Sequence, residues 1–318
     1  IGWSSSYPLI VASALVCGFG VAMFHAEGGR ISNLAAGARK GNGMSIFAVG
    51  GNVGFFIGPI MAAVSLSVFG MHGLAVFLAP TALCAAALFL HNSRFKALNA
   101  VAASNAAIVE RPERWGLFGL VMVTLSLRSV LSYGFMAFIP LFLMNVLGQS
   151  EAASSLAISL FSIAGMVGTA LSGRTSEAVG AHRLTIACLS ASAIGSAVFA
   201  LNGSSVGLAL ALTAVLAIGI DLFYPSAVAV GMGYVPQHLG MASGLTYGVA
   251  ICLGGVAEPF LGMAGDTFGL TPVMLTLAVI ALAAALLSIV IVLFALPAML
   301  YLLDGFIERT TKGVKFLK

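Results

Sequence analysis

The chain has 318 residues, of which 60% are hydrophobic and only 8% charged, a balance that excludes a soluble domain of ordinary composition. Its net charge of +4 is spread over short loops between apolar runs, so it carries no nucleic-acid signal. The cysteines, Cys17, Cys84, Cys188 and Cys252, lie inside apolar runs without CxxC spacing, and the histidines form no HxxxH pair; no disulfide, metal site or cofactor is expected, and no enzymatic triad or nucleotide-binding loop is present.

Nine apolar runs follow one another, roughly 7–25, 44–69, 73–91, 115–147, 152–172, 184–202, 206–233, 241–265 and 272–297. Each is close to the ~20 residues a helix needs to cross ~30 Å of hydrocarbon. The expected fold class is therefore an all-α integral membrane protein with nine transmembrane helices in a lipid bilayer, without the ten-residue alternation of an outer-membrane barrel.

The first run leaves through Phe24-His25-Ala26-Glu27-Gly28-Gly29 and reaches the second by a connector carrying Arg39 and Lys40. His25 and Glu27 stand at its end. With an unperturbed pKa of ~6.5 a histidine there can shuttle protons; a cap or a bond to the connector explains it equally. In the second run Gly50, Gly54 and Gly58 recur every fourth residue, beside Gly51, Asn52 and Pro59. On a helix they form one smooth stripe, either a surface for close helix packing or a bend of the kind that prevents ion leak in antiporters.

The polar connector 92–114 divides three runs from six, which sets expected boundaries: 1–91 as part of one bundle, 92–114 as a linker, 115–297 as a six-helix bundle. Residues 298–318 oppose Leu302, Leu303, Phe306 and Ile307 to Asp304, Glu308 and Arg309, then end in lysines, the pattern of an interfacial amphipathic helix.

Three ionisable residues lie deep in apolar runs. Arg128 is ~13 residues into its run, hence ~20 Å deep, where an arginine costs at least ~2.5 kcal/mol and must face a cavity or a partner. It either binds substrate or forms a structural ion pair. Asp221 lies comparably deep; paired with Arg128 it stays ionised, unpaired it becomes a proton carrier. Glu258, beside Pro259, is either a protonatable coupling site or a neutral acid bonded to a carbonyl freed by the proline. Pro140 and Pro225, the latter beside Tyr224, mark kinks.

Of the 14 Lys and Arg, all but Arg128 fall after the first, third, fifth and ninth runs, on one side. The opposite loops hold only Glu151 and Asp266. That asymmetry makes the basic face cytoplasmic, with the C-terminus inside and Ile1 outside, so the reading expects either helices before Ile1 or another polypeptide that supplies them. The six later runs split into two triplets whose first members carry Arg128 and Asp221, a pattern of three-helix repeats lining a central cavity.

Phe24-His25-x-Glu27, Arg39-Lys40, Ser45-x-Phe47 and Gly50-Gly51-Asn52-x-Gly54 leading to Gly58-Pro59 resemble the fourth and fifth helices of major facilitator superfamily transporters of the fosmidomycin-resistance type, with Ala26 where that family has proline. Pro236 to Gly265 resembles the same family's tenth-to-eleventh helix connection and eleventh helix. Gly173-Arg174-Thr175-Ser176-Glu177 through Gly180 to Arg183 resembles the second copy of its cytoplasmic loop motif, with Glu177 replacing aspartate. The resemblance implies nine helices equivalent to helices 4–12 of a twelve-helix bundle in a bacterial inner membrane. It also implies proton-coupled export of a small molecule, with Gly173, Glu177, Gly180 and Arg183 in a cytoplasmic gate. The alternative is a shortened, transport-inactive relative serving as a subunit of a larger membrane complex.

Overall fold

The computed structural model describes Gly2, residues 6–108 and residues 112–315, with side-chain surroundings left aside at 55, 59, 63, 101–108, 152 and 296–315. Ile1, Arg111, the Pro59 ring and the side chains of the basic tail thus lie outside the described residues. Helices α1 (Tyr7–Ala35) and α2 (Lys40–Phe69), a 3₁₀ segment Gly70–Phe77, α3 (Leu78–Leu90) and α4 (Asn92–Ile108) make up the first part. Helices α5 (Trp115–Asn145), α6 (Glu151–Val179), α7 (Ala181–Leu201) and α8 (Val206–Tyr234) follow, then α9 (Leu239–Gly244), a π-helical turn Leu245–Val249, α10 (Ala250–Phe268) and α11 (Leu270–Lys315). Among the described residues there is no strand.

Eight helical runs there are long and apolar enough to cross a membrane. The difference from the nine expected lies in one place: Lys40–Leu90 is a single helical run of 51 residues that holds both the second and the third expected spans. Gly70 interrupts it, with φ +58°, a conformation that only glycine adopts without strain. The 3₁₀ segment then folds back on α2 so tightly that a Cβ on Gly73 would collide with the Ser65 carbonyl.

One boundary differs from the sequence reading for an identifiable reason. Helix α1 does not end near His25 but runs through to Ala35. Ala26 keeps its N–H in the ladder where a proline would not, and Gly28 and Gly29 serve close packing instead of helix ending. Within the expected linker 92–114, α4 runs over Asn92–Ile108.

The six-helix part carries the core. Phe135, Phe142, Phe199 and Phe223, with Leu125, Leu189, Leu216 and Ile220, are fully buried where α6 packs on α8, α7 on α11, and α5 on α10 and α11. The serine caps of α6 and α8 follow the ordinary rule: Ser150 Oγ accepts from the Ala153 N–H and Ser205 Oγ from the Leu208 N–H. Gly180, at φ +88°, joins α6 to α7 in a turn that a side chain would strain.

Helices α1 and α2 meet this core at the end of the molecule that carries Arg39, Lys40, Arg174 and Arg183. There α1 lies on α9, and α2 on α6 and α8, burying Asn33, Met44 and Ser45. Past Asn52 the relation changes: Val53, Phe56, Ile57 and Ile60 of α2 and Leu9, Leu15, Val16 and Phe19 of α1 are exposed. Gly50, Gly51, Gly54 and Gly58 have nothing within 4 Å of the position a Cβ would take. The glycine stripe therefore packs on no other helix among the described residues.

Candidate functional site: a buried ion pair at the helix interface

Arg128 and Asp221 come together. The Arg128 Nη2 donates to Asp221 Oδ1 across α5 and α8, and Nε donates to the Ile220 carbonyl at 3.4 Å. The guanidinium also lies 4.3 Å from the centre of the Tyr224 ring, a cation–π contact that offsets part of its desolvation. Room for the carboxylate comes from α6, where a Cβ on Gly165 would collide with Asp221 Oδ2. Pro225 lacks the N–H that would bond the Asp221 carbonyl four residues back, so the helix is loosened beside the acid, although it continues through Pro225 and, in α5, through Pro140.

From this pair an aromatic chain leads to the first helices. The Tyr224 and Tyr247 ring centres are 5.7 Å apart. Tyr247 stacks near-parallel on His25 at 5.5 Å and meets Phe47 edge-on at 5.4 Å. Phe47 in turn lies 6.0 Å from His25. Tyr247 is presented by the π turn of 245–249, the kind of one-turn irregularity that recurs at functional sites. Three buried polar atoms of this cluster, His25 Nδ1, Tyr224 Oη and Tyr247 Oη, have no hydrogen-bond partner among the described residues.

The other residues singled out in the sequence go elsewhere. Glu27 pairs with Arg30 one turn on, and Arg30 also donates to Asn99 of α4 at 2.9 Å, so Glu27 ties α1 to the linker and does not face the cluster. Glu258 on α10 is partly exposed and forms no hydrogen bond or ion pair among the described residues. The expected bond to a carbonyl freed by Pro259 is thus not made. Among the described residues no group of His, Cys, Asp and Glu is placed to hold a metal ion.

At the basic end the first helices close on the core through small residues. A Cβ on Gly29 would collide with Ser243 Oγ, whose hydroxyl donates to the His25 carbonyl at 2.7 Å. A Cβ on Gly173 would lie 2.5 Å from the Asn42 Cα, and one on Gly41 2.9 Å from Ser176 Oγ. Ser45 donates to the Thr169 carbonyl, and Asn52 donates to Thr169 Oγ1 at 3.0 Å. Glu177 lines a pocket with Arg39, Lys40 and Ser226, while Gly180 makes the turn and Arg183 is exposed.

Sequence reasoning passed over Tyr247 and Phe47, although both stand inside the motifs that carried the family resemblance. It also missed a cluster around Glu113, which accepts from Trp115 Nε1 at 3.0 Å, from the Gln237 N–H at 3.1 Å and from His238 Nδ1 at 2.8 Å. The bond with His238, followed by those from Gln237 and Trp115, holds the Glu113 carboxyl below its usual range against a smaller opposing effect of desolvation. It binds the start of α5 to the loop between α8 and α9.

Residues 1–257 match the family model of the Major Facilitator Superfamily. The chain is 26% identical over 289 residues to an uncharacterized MFS-type transporter, YfnC, of Bacillus subtilis, covering 88% of this chain and 70% of that protein. It is 28% identical over 276 residues to the fosmidomycin resistance protein of Escherichia coli, covering 83% of this chain and 66% of that one. The fold is similar to that of a single-residue variant of the E. coli fucose:proton symporter FucP, with a TM-score of 0.65 at 10% identity over 84% of this chain and 73% of that one. FucP in the outward conformation gives 0.60 at 11% identity over 84% and 72%. From the family match over four-fifths of its length and a helical bundle of that shape, the chain belongs to the major facilitator superfamily of membrane transporters.

Proposed function

We propose that this chain is a proton-coupled secondary transporter for a small amphiphilic or anionic molecule, working in the export direction. The observation that carries the reading is the Arg128–Asp221 pair, largely withdrawn from the surface and next to three polar atoms without partners among the described residues. A charge pair so placed is expensive to desolvate, and two features suit it to transport better than to rigidity. Protonation of Asp221 removes the charge that engages Arg128, which leaves a guanidinium to meet a substrate; reforming the pair takes it back. Proton and substrate occupancy are thereby linked through one contact, as coupling requires.

Alternation is the second element. Helices α1 and α2 pack on the core at the basic end, and past Asn52 the α2 side chains, like those of the first half of α1, are exposed, so in this reading substrate reaches the site from the other end. By the loop-charge asymmetry the basic end is cytoplasmic, and the chain sits in a bacterial inner membrane. Transport then requires a second arrangement in which the contacts of Gly29, Gly41 and Gly173 part and the far ends approach. Glu258, outside the cluster, remains a second candidate for the proton.

Fosmidomycin, to which the name of one relative points, is the first compound to try. In proteoliposomes holding the intact protein, imposed pH gradients of either sign should change its flux. A flux equal to that of empty liposomes under both gradients, for it and for a panel of small organic anions, would sink the reading.

A further inference from the structure

We propose that α9 is a hinged catch on the basic end, a segment of 6 residues that pivots on the π turn Leu245–Val249 and is held against α1 by a clasp centred on Glu113. The inference concerns how that end opens and does not depend on what is carried. The clasp is built from the last residues before α5. Glu113 accepts from His238 Nδ1 at 2.8 Å and from the Gln237 N–H at 3.1 Å, the two residues that lead into α9, and the Trp115 and His238 ring centres are 5.4 Å apart. The Arg114 N–H donates to the Tyr234 carbonyl at 2.8 Å. The same short stretch thus holds the end of α8 and the start of α9 to the start of α5.

From the clasp the hold passes to α1. A Cβ on Gly240 would lie 3.6 Å from Arg30 Cδ and one on Gly244 3.5 Å from Ala26 Cβ. Ser243, between them, is fully buried against Gly29, with its hydroxyl on the His25 carbonyl. The contact consists of small residues, one arginine stem and one hydrogen bond, so nothing long has to be withdrawn when the two helices part. At its other end α9 runs into the π turn, where N–H groups bond five residues back instead of four. Thr246 there is fully buried, and its hydroxyl reaches the Ala242 and Ser243 carbonyls at 2.9 and 3.1 Å, bonds of the kind that bend a helix. Helices kink at such turns. A short helix with a side-chain clasp at one end and a π turn at the other moves as one piece when the clasp lets go.

The test is the rate at which a maleimide labels Ser243→Cys in the intact protein in detergent, in a background without the native cysteines. A thiol buried under Gly29 reacts only while α9 stands off α1, so the rate reads the fraction of time that it does. Glu113→Gln keeps the shape of the side chain and removes the charge shared by its three donors. It should raise the rate roughly ten- to hundredfold, as for a lost hydrogen bond to a charged group. Ser45→Cys is equally buried, but on α2, where the serine donates to the Thr169 carbonyl of α6. Its labelling should change less than about threefold on Glu113→Gln, because α9 moves without α2. An unchanged rate at Ser243→Cys would overturn the clasp. An equal rise at both positions would mean that the basic end opens as one rigid unit, which would overturn the hinge. No substrate or gradient enters the measurement, so the catch can fail while the transport reading stands, and the reverse.

Discussion

Arg128 and Asp221 reach each other from α5 and α8, the first helices of the two triplets that make up the six-helix part, and their contact is the one buried ion pair described between membrane-spanning helices of that part. Its energetics differ from those of a surface pair. Removing one partner strands a buried charge and costs ~3–5 kcal/mol, whereas neutral replacement of both is close to neutral. Arg128→Gln should therefore lower the unfolding midpoint in detergent strongly. Adding Asp221→Asn should restore most of the loss without restoring transport, a coupling seen by the double-mutant cycle. Additive losses would mean that the pair is not formed.

The contact between α2 and α6 predicts a lock. Gly41 and Ser176 are close enough that a Cβ on the glycine would lie 2.9 Å from Ser176 Oγ, within reach of disulfide geometry. In a background without the native cysteines, Gly41→Cys with Ser176→Cys should crosslink readily. Transport should stop on oxidation and return with reductant. Undiminished flux in the crosslinked protein would show that the basic end does not open.

Glu113 gives the pH dependence. Its carboxyl is held below the ordinary value of 4.5 chiefly by the His238 hydrogen bond. A depressed folded pKa stabilises the native state at all pH values above the unfolded pKa, and that stabilisation is lost as pH falls from about 4.5 through the folded value. Protonation of Glu113 should therefore loosen the bonds from Trp115, Gln237 and His238 as pH falls below about 4.5. Trp115 fluorescence in a Trp3→Phe background should report this, and Glu113→Gln should remove the transition. Absence of a transition below about pH 5, or one that persists in Glu113→Gln, would contradict the assignment.

Glu258 and Asp221 should separate in a substitution pair. Asp221 engages Arg128, while Glu258 has no ionic or hydrogen-bond partner among the described residues. Asp221→Asn should abolish the dependence of flux on the proton gradient, and Glu258→Gln should change it less than about threefold. The reverse ranking would move the coupling site to α10.

What the sequence reveals and what it hides divides along physical lines. An arginine and an aspartate deep in apolar runs stand out because hydrocarbon penalises them, so both residues were legible before any geometry, while their pairing was left open. Tyr247 was not, since an apolar run gives a tyrosine no special weight and its direction depends on a π turn that no periodicity announces. The glycines misled in both directions. Gly28 and Gly29 look like helix breakers yet lie inside α1, where Gly29 admits Ser243. Gly50, Gly54 and Gly58 look like a packing surface yet face no helix among the described residues, because packing depends on where a neighbour sits as well as on the stripe itself.

The most direct test of the account is proton movement driven by substrate. Proteoliposomes with the intact protein and an internal pH indicator would be given fosmidomycin, or a small organic anion whose flux has been shown, without any imposed gradient. The account predicts a pH change inside the vesicles with the wild-type chain and none with Asp221→Asn, under conditions where both proteins retain the fold. Substrate flux with no accompanying proton movement, or an equal pH change with Asp221→Asn, would contradict it.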